Sequence, residues 1–244
     1  MDGGSGDWLV PAVLAIAAIA GVMRGISGFG GAMLMGPPLG LLLGPVTAVA
    51  IALVLEAAAG LVMIPAAVAD LRPRLFAQLI IPACLAIPVG TSLFVGLDPL
   101  LARKLIAAMV LVSSLAMAAG LRYRQEVGSG LTVGIGGLAG VLLGATGIGG
   151  PPVALFLLSG PVEARHARAI LVLFVTVTSV IGLAALAWNG VLGRDLVRWI
   201  LLSLPVYLAG VVVGVRVFAR LTDHRARWVS LGLMMLLGAI GLAL

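Results

Sequence analysis

Apolar runs alternate with short polar breaks along the whole chain. The runs fall at about 9–24, 31–43, 47–68, 75–97, 104–121, 131–146, 151–159, 167–188, 196–218 and 228–244. The breaks fall at 70–74, 98–104, 122–130, 160–168, 189–198 and 220–227. A helix needs about 20 apolar residues to cross the ~30 Å hydrocarbon core, so the longer runs predict membrane-spanning helices. No polar stretch is long enough to link two separately folding units, so residues 1–244 read as a single membrane domain.

Composition narrows the class. Apolar residues make up 62% of the chain and charged residues 10%, against about 25% charged in an average soluble domain. Too few charges are present to coat a soluble globule, which excludes a soluble enzyme and a disordered chain. The lone Cys84 excludes a disulfide scaffold, and both histidines, His166 and His224, sit in polar breaks, so no cofactor or metal is expected. The net charge of +6 is gathered at the breaks, as in Arg72/Arg74, Arg103/Lys104 and Arg165/Arg168. That placement suits loops beside anionic lipid headgroups, so the expected partner is the bilayer and not nucleic acid. The first seven residues carry Asp2 and Asp7 but no cation, so they read as an exposed tail and not a signal peptide, with Trp8 at the interface.

The chain repeats itself. Residues 21–31 read G-V-M-R-G-I-S-G-F-G-G and residues 140–150 read G-V-L-L-G-A-T-G-I-G-G, at an offset of 119. Ser27 matches Thr146, a hydroxyl for a hydroxyl. A second block follows in the same order: Gly90, Phe94, Leu97, Ala102 and Arg103 match Gly214, Phe218, Leu221, Ala226 and Arg227 at an offset of 124. The expected repeats are residues 8–126 and 127–244.

Segment length and charge suggest a topology. The segments flanking each glycine motif run about 16 and 13 residues in the first half, and 16 and 9 in the second. Each pair is too short for two spans, so it forms either a returning hairpin or one broken helix. With returning hairpins, nine loop cations (Arg72, Arg74, Arg122, Arg124, Arg165, Arg168, Arg220, Arg225, Arg227) face one side and four (Arg103, Lys104, Arg194, Arg198) the other. Single broken helices give seven against six, so the positive-inside rule favours hairpins. The expected fold is an all-α polytopic membrane protein, an inverted repeat in which each half holds a re-entrant helical hairpin plus three transmembrane helices. Both termini would be periplasmic in the inner membrane of a bacterium.

Inverted repeats with interrupted helices are a transporter signature, with substrate bound near the midplane. Glycines at a break admit positive φ and close approach of the backbone. A new helix starts after each motif, and helix N-termini present free N–H groups and a positive dipole end. Two of them meeting at the midplane would hold an anion. The candidate binding residues are Ser27, Gly28, Gly30, Gly31, Thr146, Gly147, Gly149 and Gly150, with Arg24 supplying charge. Gly21–Gly25 and Gly140–Gly144 also suit close helix packing.

The motif G-x-x-x-G-x-[ST]-G-x-G-G in each half, the chain length and the related halves resemble the TauE/SafE family of sulfite exporters and toluene-sulfonate uptake permeases. The second copy continues into Pro151-Pro152, whereas the first has Ala32 there and Pro37-Pro38 further along. The resemblance implies transport of a small organic or sulfur-containing anion such as sulfite, a sulfonate or a related carboxylate.

Two charges lie at membrane depth, Arg24 and Glu56, and such charges are costly and usually functional. At the 119 offset they correspond to Leu143 and Val175, so both charges are missing together in the second half. Arg24 either binds the anion or pairs with Glu56, and protonation of Glu56 would free Arg24 and couple transport to protons. Thr176, Thr178 and Ser179 are secondary candidates for the pathway. Gln78, Ser203 and Tyr207 read as interhelical hydrogen-bonding groups. A passive anion channel is the alternative, and a homo-oligomer stays open. The remote rival is an intramembrane serine protease, since residues 25–28 read G-I-S-G. That chemistry needs a histidine base near Ser27, and both histidines lie in loops.

Overall fold

The computed structural model describes residues 8–119, 128–190 and 193–218. The last expected segment, 228–244, lies outside them, as do Arg122, Arg124, Arg220, Arg225, Arg227, His224, Trp228 and the matched Leu221 and Ala226. The described residues form nine helices and no strand. These are α1 (Leu9–Ser27), α2 (Gly31–Leu43), α3 (Pro45–Val68), α4 (Pro73–Val95), α5 (Pro99–Ala118), α6 (Ser129–Thr146), α7 (Gly150–Ser159), α8 (Ala164–Trp188) and α9 (Arg194–Phe218). Proline opens α3, α4 and α5 and stands in the first turn of α7, where its missing N–H costs nothing.

Six helices are long and apolar enough to cross a membrane: α1, α3, α4, α6, α8 and α9. Only α2 and α7 stay short, at 13 and 10 residues. The first arm of each pair is therefore longer than the sequence segments suggested, with 19 residues in α1 and 18 in α6. Gly21, Gly25, Gly140 and Gly144 lie inside these helices and do not interrupt them. They pack them.

A Cβ on Gly21 would strike the Tyr207 carbonyl, and one on Gly25 the Val211 carbonyl. In the other half a Cβ on Gly140 would strike the Ala83 carbonyl, and one on Gly144 the Ile87 carbonyl. These partners are themselves matched at the 124 offset. The closing contacts match too, Gly214 on Val22 and Gly90 on Val141. So α1 packs on α9, and α6 packs on α4, through the same residues of the repeat. Three further pairings follow the same exchange: α1–α2 with α6–α7, α2–α3 with α7–α8, and α3–α9 with α8–α4. α3 and α8 pack on each other and are the most enclosed spans, 61% and 67% buried, so they form the centre.

The second arm of each pair starts close to its first arm. A Cβ on Gly31 would lie 3.4 Å from the Ala20 carbonyl oxygen, and one on Gly149 would lie 2.6 Å from that of Ala139. Each second arm thus begins beside the middle of its own first arm. At one end of the bundle Gln78 on α4 donates to Ser129 on α6 at 3.0 Å. At the same end Arg165 donates to Glu163 at 2.8 Å and holds that exposed carboxyl below its usual range, with a smaller contribution from Arg72. The loops after α3 and α7 are neighbours, since Leu71 of one and Val162 of the other pack against the same buried apolar cluster.

Candidate functional site

Each break is built by the same backbone device. α1 ends at Ser27, and Gly28 takes φ 77° with its N–H on the Arg24 carbonyl. α6 ends at Thr146, and Gly147 takes φ 73° with its N–H on the Leu143 carbonyl. This left-handed conformation closes a helix and is open to glycine at little cost. The Ser27 hydroxyl donates to the Met23 carbonyl at 2.8 Å and accepts from the Phe29 N–H at 3.4 Å. The Thr146 hydroxyl donates to the Leu142 carbonyl at 2.7 Å and accepts from the Ile148 N–H at 3.3 Å. Both hydroxyls are engaged in finishing their helices. The breaks differ one residue later, where Gly30 has φ 95° and Gly149 has φ −110°.

Between the breaks lies a small cavity of about 20 Å³, open on one side. Of the residues expected at the site, Gly30 and Glu56 line it from the first half, and Gly147, Gly149, Gly150 and Ser179 from the second. Leu143, Pro151 and Val175 also face it. Arg24, Ser27, Gly28, Gly31, Thr146, Thr176 and Thr178 are not among its lining residues. Thr176 and Thr178 turn back onto their own helix, donating to the Val172 and Phe174 carbonyls at 2.6 and 2.7 Å.

Arg24 pairs with Glu56. Its Nε lies 2.7 Å from Glu56 Oε2, and both side chains are buried. The second carboxylate oxygen, Oε1, accepts the Ala32 N–H at 2.8 Å, in the first turn of α2. A carboxylate there meets the positive end of the helix and a free N–H together. A Cβ on Gly31 would collide with Glu56 Oε1 and come within 2.5 Å of the Tyr207 hydroxyl, so glycine is what lets these two groups approach α2. Arg168, half-buried near the start of α8, donates from Nη2 to the Gly25 carbonyl at 3.0 Å and lies over Gly28. It satisfies one of the last carbonyls of α1 with a cation, the favourable sign at a helix C-terminus.

Every member of this set has an apolar counterpart in the opposite half of the repeat. Arg24, Glu56 and Ala32 correspond to Leu143, Val175 and Pro151, Arg168 to Val49, and Tyr207 to Ala83. The geometry follows the correspondence. Val175 stands by Gly150 as Glu56 stands by Gly31, and Val49 covers Gly147 as Arg168 covers Gly28. Sequence reading placed Arg168 among loop cations and Tyr207 among generic polar groups. The signal that could have found both is the repeat offset itself, which sets each against a small or apolar residue.

The molecule is thus a polytopic helical membrane protein with two interrupted helix pairs facing one cavity, the architecture of a transporter. A family model, Sulfite exporter TauE/SafE, matches residues 13–241, nearly the whole chain. The chain belongs to this family, whose members are transporters of sulfite and related sulfur anions rather than enzymes. No curated protein and no solved structure gives a match. Ser27, the nucleophile of the protease reading, has only backbone partners, and His166 lies 3.5 Å from Glu163 at the loop end of α8.

Proposed function

We propose that the protein is a secondary transporter that carries a small organic or sulfur-containing anion (sulfite, a sulfonate or a related carboxylate) across the bacterial inner membrane by alternating access. The carrying observation is the cavity between the two glycine breaks, lined by backbone from both halves. The matched contacts of α1–α9 and α6–α4 support an inverted repeat with re-entrant hairpins, the arrangement in which such a cavity is reached alternately from each side. In that arrangement both termini are periplasmic. Gly30, Gly147, Gly149 and Gly150 offer backbone to the anion, and Ser179 offers a hydroxyl. Arg24 acts through Glu56, which it keeps neutralised.

The test is counterflow in proteoliposomes. A carrier preloaded with unlabelled sulfite accumulates labelled sulfite transiently, and its rate saturates with concentration. Flux that neither saturates nor shows counterflow identifies a passive channel. Glu56 is the acidic group lining the cavity among the described residues, so a proton gradient would be read through it. A Glu56→Gln variant with the wild-type pH profile of uptake excludes that coupling.

A further inference from the structure

The two breaks are not equivalent anion sites. At the first, the protein's own carboxylate occupies the helix N-terminus: Glu56 Oε1 takes the Ala32 N–H, and Arg24 neutralises the charge. At the second, the position of Glu56 is Val175, that of Arg24 is Leu143, and the N–H donor is gone because Pro151 replaces Ala32. No side chain can therefore be fixed there as Glu56 is, and the cavity lies against this break. Gly149 and Gly150 line it at the start of α7, a helix of 10 residues.

A helix N-terminus alone does not make a site, but a second feature points the same way. Ser179 is 1% exposed, lines the cavity, and makes no hydrogen bond among the described residues. Its neighbours Thr176 and Thr178 both return to their helix carbonyls, as buried hydroxyls usually do. Ser179 is the residue with a side-chain hydroxyl among those lining the cavity, and that hydroxyl is left to donate to what enters it.

We infer that the oxyanion headgroup of the substrate is held at the second break alone, by the Gly149 and Gly150 N–H groups and the Ser179 hydroxyl, while Glu56 is a resident anion that closes the first break. This rests on the anion-transport reading above and assigns the headgroup to one of the two motifs. The site has no free cation among the residues that line it. Its affinity comes from a helix dipole and a few hydrogen bonds, which suits a ligand that must also leave.

Calorimetry on the full-length chain in detergent, with sodium sulfite and sodium ethanesulfonate as probes, tests the assignment. Val175→Glu sets an unpaired carboxylate against the second break, so the melting temperature is expected to fall, and binding by the chain that stays folded is expected to drop by more than about tenfold. Ser179→Ala removes one hydrogen bond to a charged ligand and is expected to weaken binding by about tenfold. Wild-type affinity in both variants overturns the assignment and leaves the transport reading intact. If Val175→Glu does not purify folded, Ser179→Ala decides alone. A folded wild-type chain that binds neither probe overturns the anion reading and this assignment with it.

Discussion

At the scale of the residue, the asymmetry between the halves makes a thermodynamic claim. A buried ion pair is weak evidence for stability, yet breaking one side of it leaves an uncompensated charge at a cost of about 3–5 kcal/mol. Arg24→Leu strands Glu56 and Glu56→Val strands Arg24, so each single variant is expected to lose about that much. The second half shows how the same place is filled without charge, with Leu143, Val175 and Pro151. The triple variant Arg24→Leu, Glu56→Val, Ala32→Pro copies that solution and removes the unpaired N–H as well. It is expected to recover most of the loss, within about 1–2 kcal/mol of wild type, because apolar replacement of a whole buried pair is often neutral. Reversible denaturation in detergent measures all three. Additive losses would mean that the three residues do not act as one unit. The pairing was half legible in the sequence, since both charges vanish together at the 119 offset. The third partner was not, because Ala32 contributes through its backbone N–H and carries no chemical label.

At the scale of the element, the glycines divide into three jobs that the sequence pattern runs together. Gly28 and Gly147 close helices at positive φ. Gly21, Gly25, Gly140 and Gly144 let helices of opposite halves touch backbone to backbone. Gly134 and Gly137, on the same helix as Gly140, meet nothing within 4 Å. The sequence set Gly21–Gly25 and Gly140–Gly144 apart as suited to packing, but its first apolar segment stopped at about residue 24, whereas α1 runs on to Ser27. Only the partner helix distinguishes a packing glycine from a breaking one, and for α1 that partner is α9, at the other end of the described chain. Gly140→Ala drives a Cβ into the Ala83 carbonyl and is expected to destabilise by about 1–3 kcal/mol, the range for overpacking. Gly137→Ala adds a methyl in open space and is expected to be neutral or to gain up to about 1 kcal/mol of helix propensity. Thermal unfolding of the two variants side by side checks this. Equal losses would mean that the α6–α4 interface is not where the structure puts it.

At the scale of the whole molecule, the decisive question is whether each glycine break returns the chain or lets it cross. Loop charge favoured return, nine cations against four, and this rested on counting alone. The folded chain adds proximity: the start of α2 lies beside Ala20, the start of α7 approaches Ala139, and Leu71 and Val162 of two different loops pack against one apolar cluster. If each break crossed once, the α3–α4 and α7–α8 loops would open on opposite faces of the membrane, and Leu71 and Val162 could not share a cluster. If each break returns, both loops share a face, and the α4–α5 and α8–α9 loops share the other. Single cysteines at Arg74, Gly128 and Glu163 in a Cys84→Ala background are then expected to react with an impermeant maleimide only in inverted vesicles. Cysteines at Asp98 and Gly193 are expected to react only in intact spheroplasts, with all five positions lying on the exposed surface. The position that decides is Glu163, because the two topologies agree about Arg74 and Gly128 sharing a face and disagree about whether Glu163 joins them. Labelling of Glu163→Cys from the face opposite to Arg74→Cys would replace the hairpins by single broken helices and remove the structural basis for an inverted repeat.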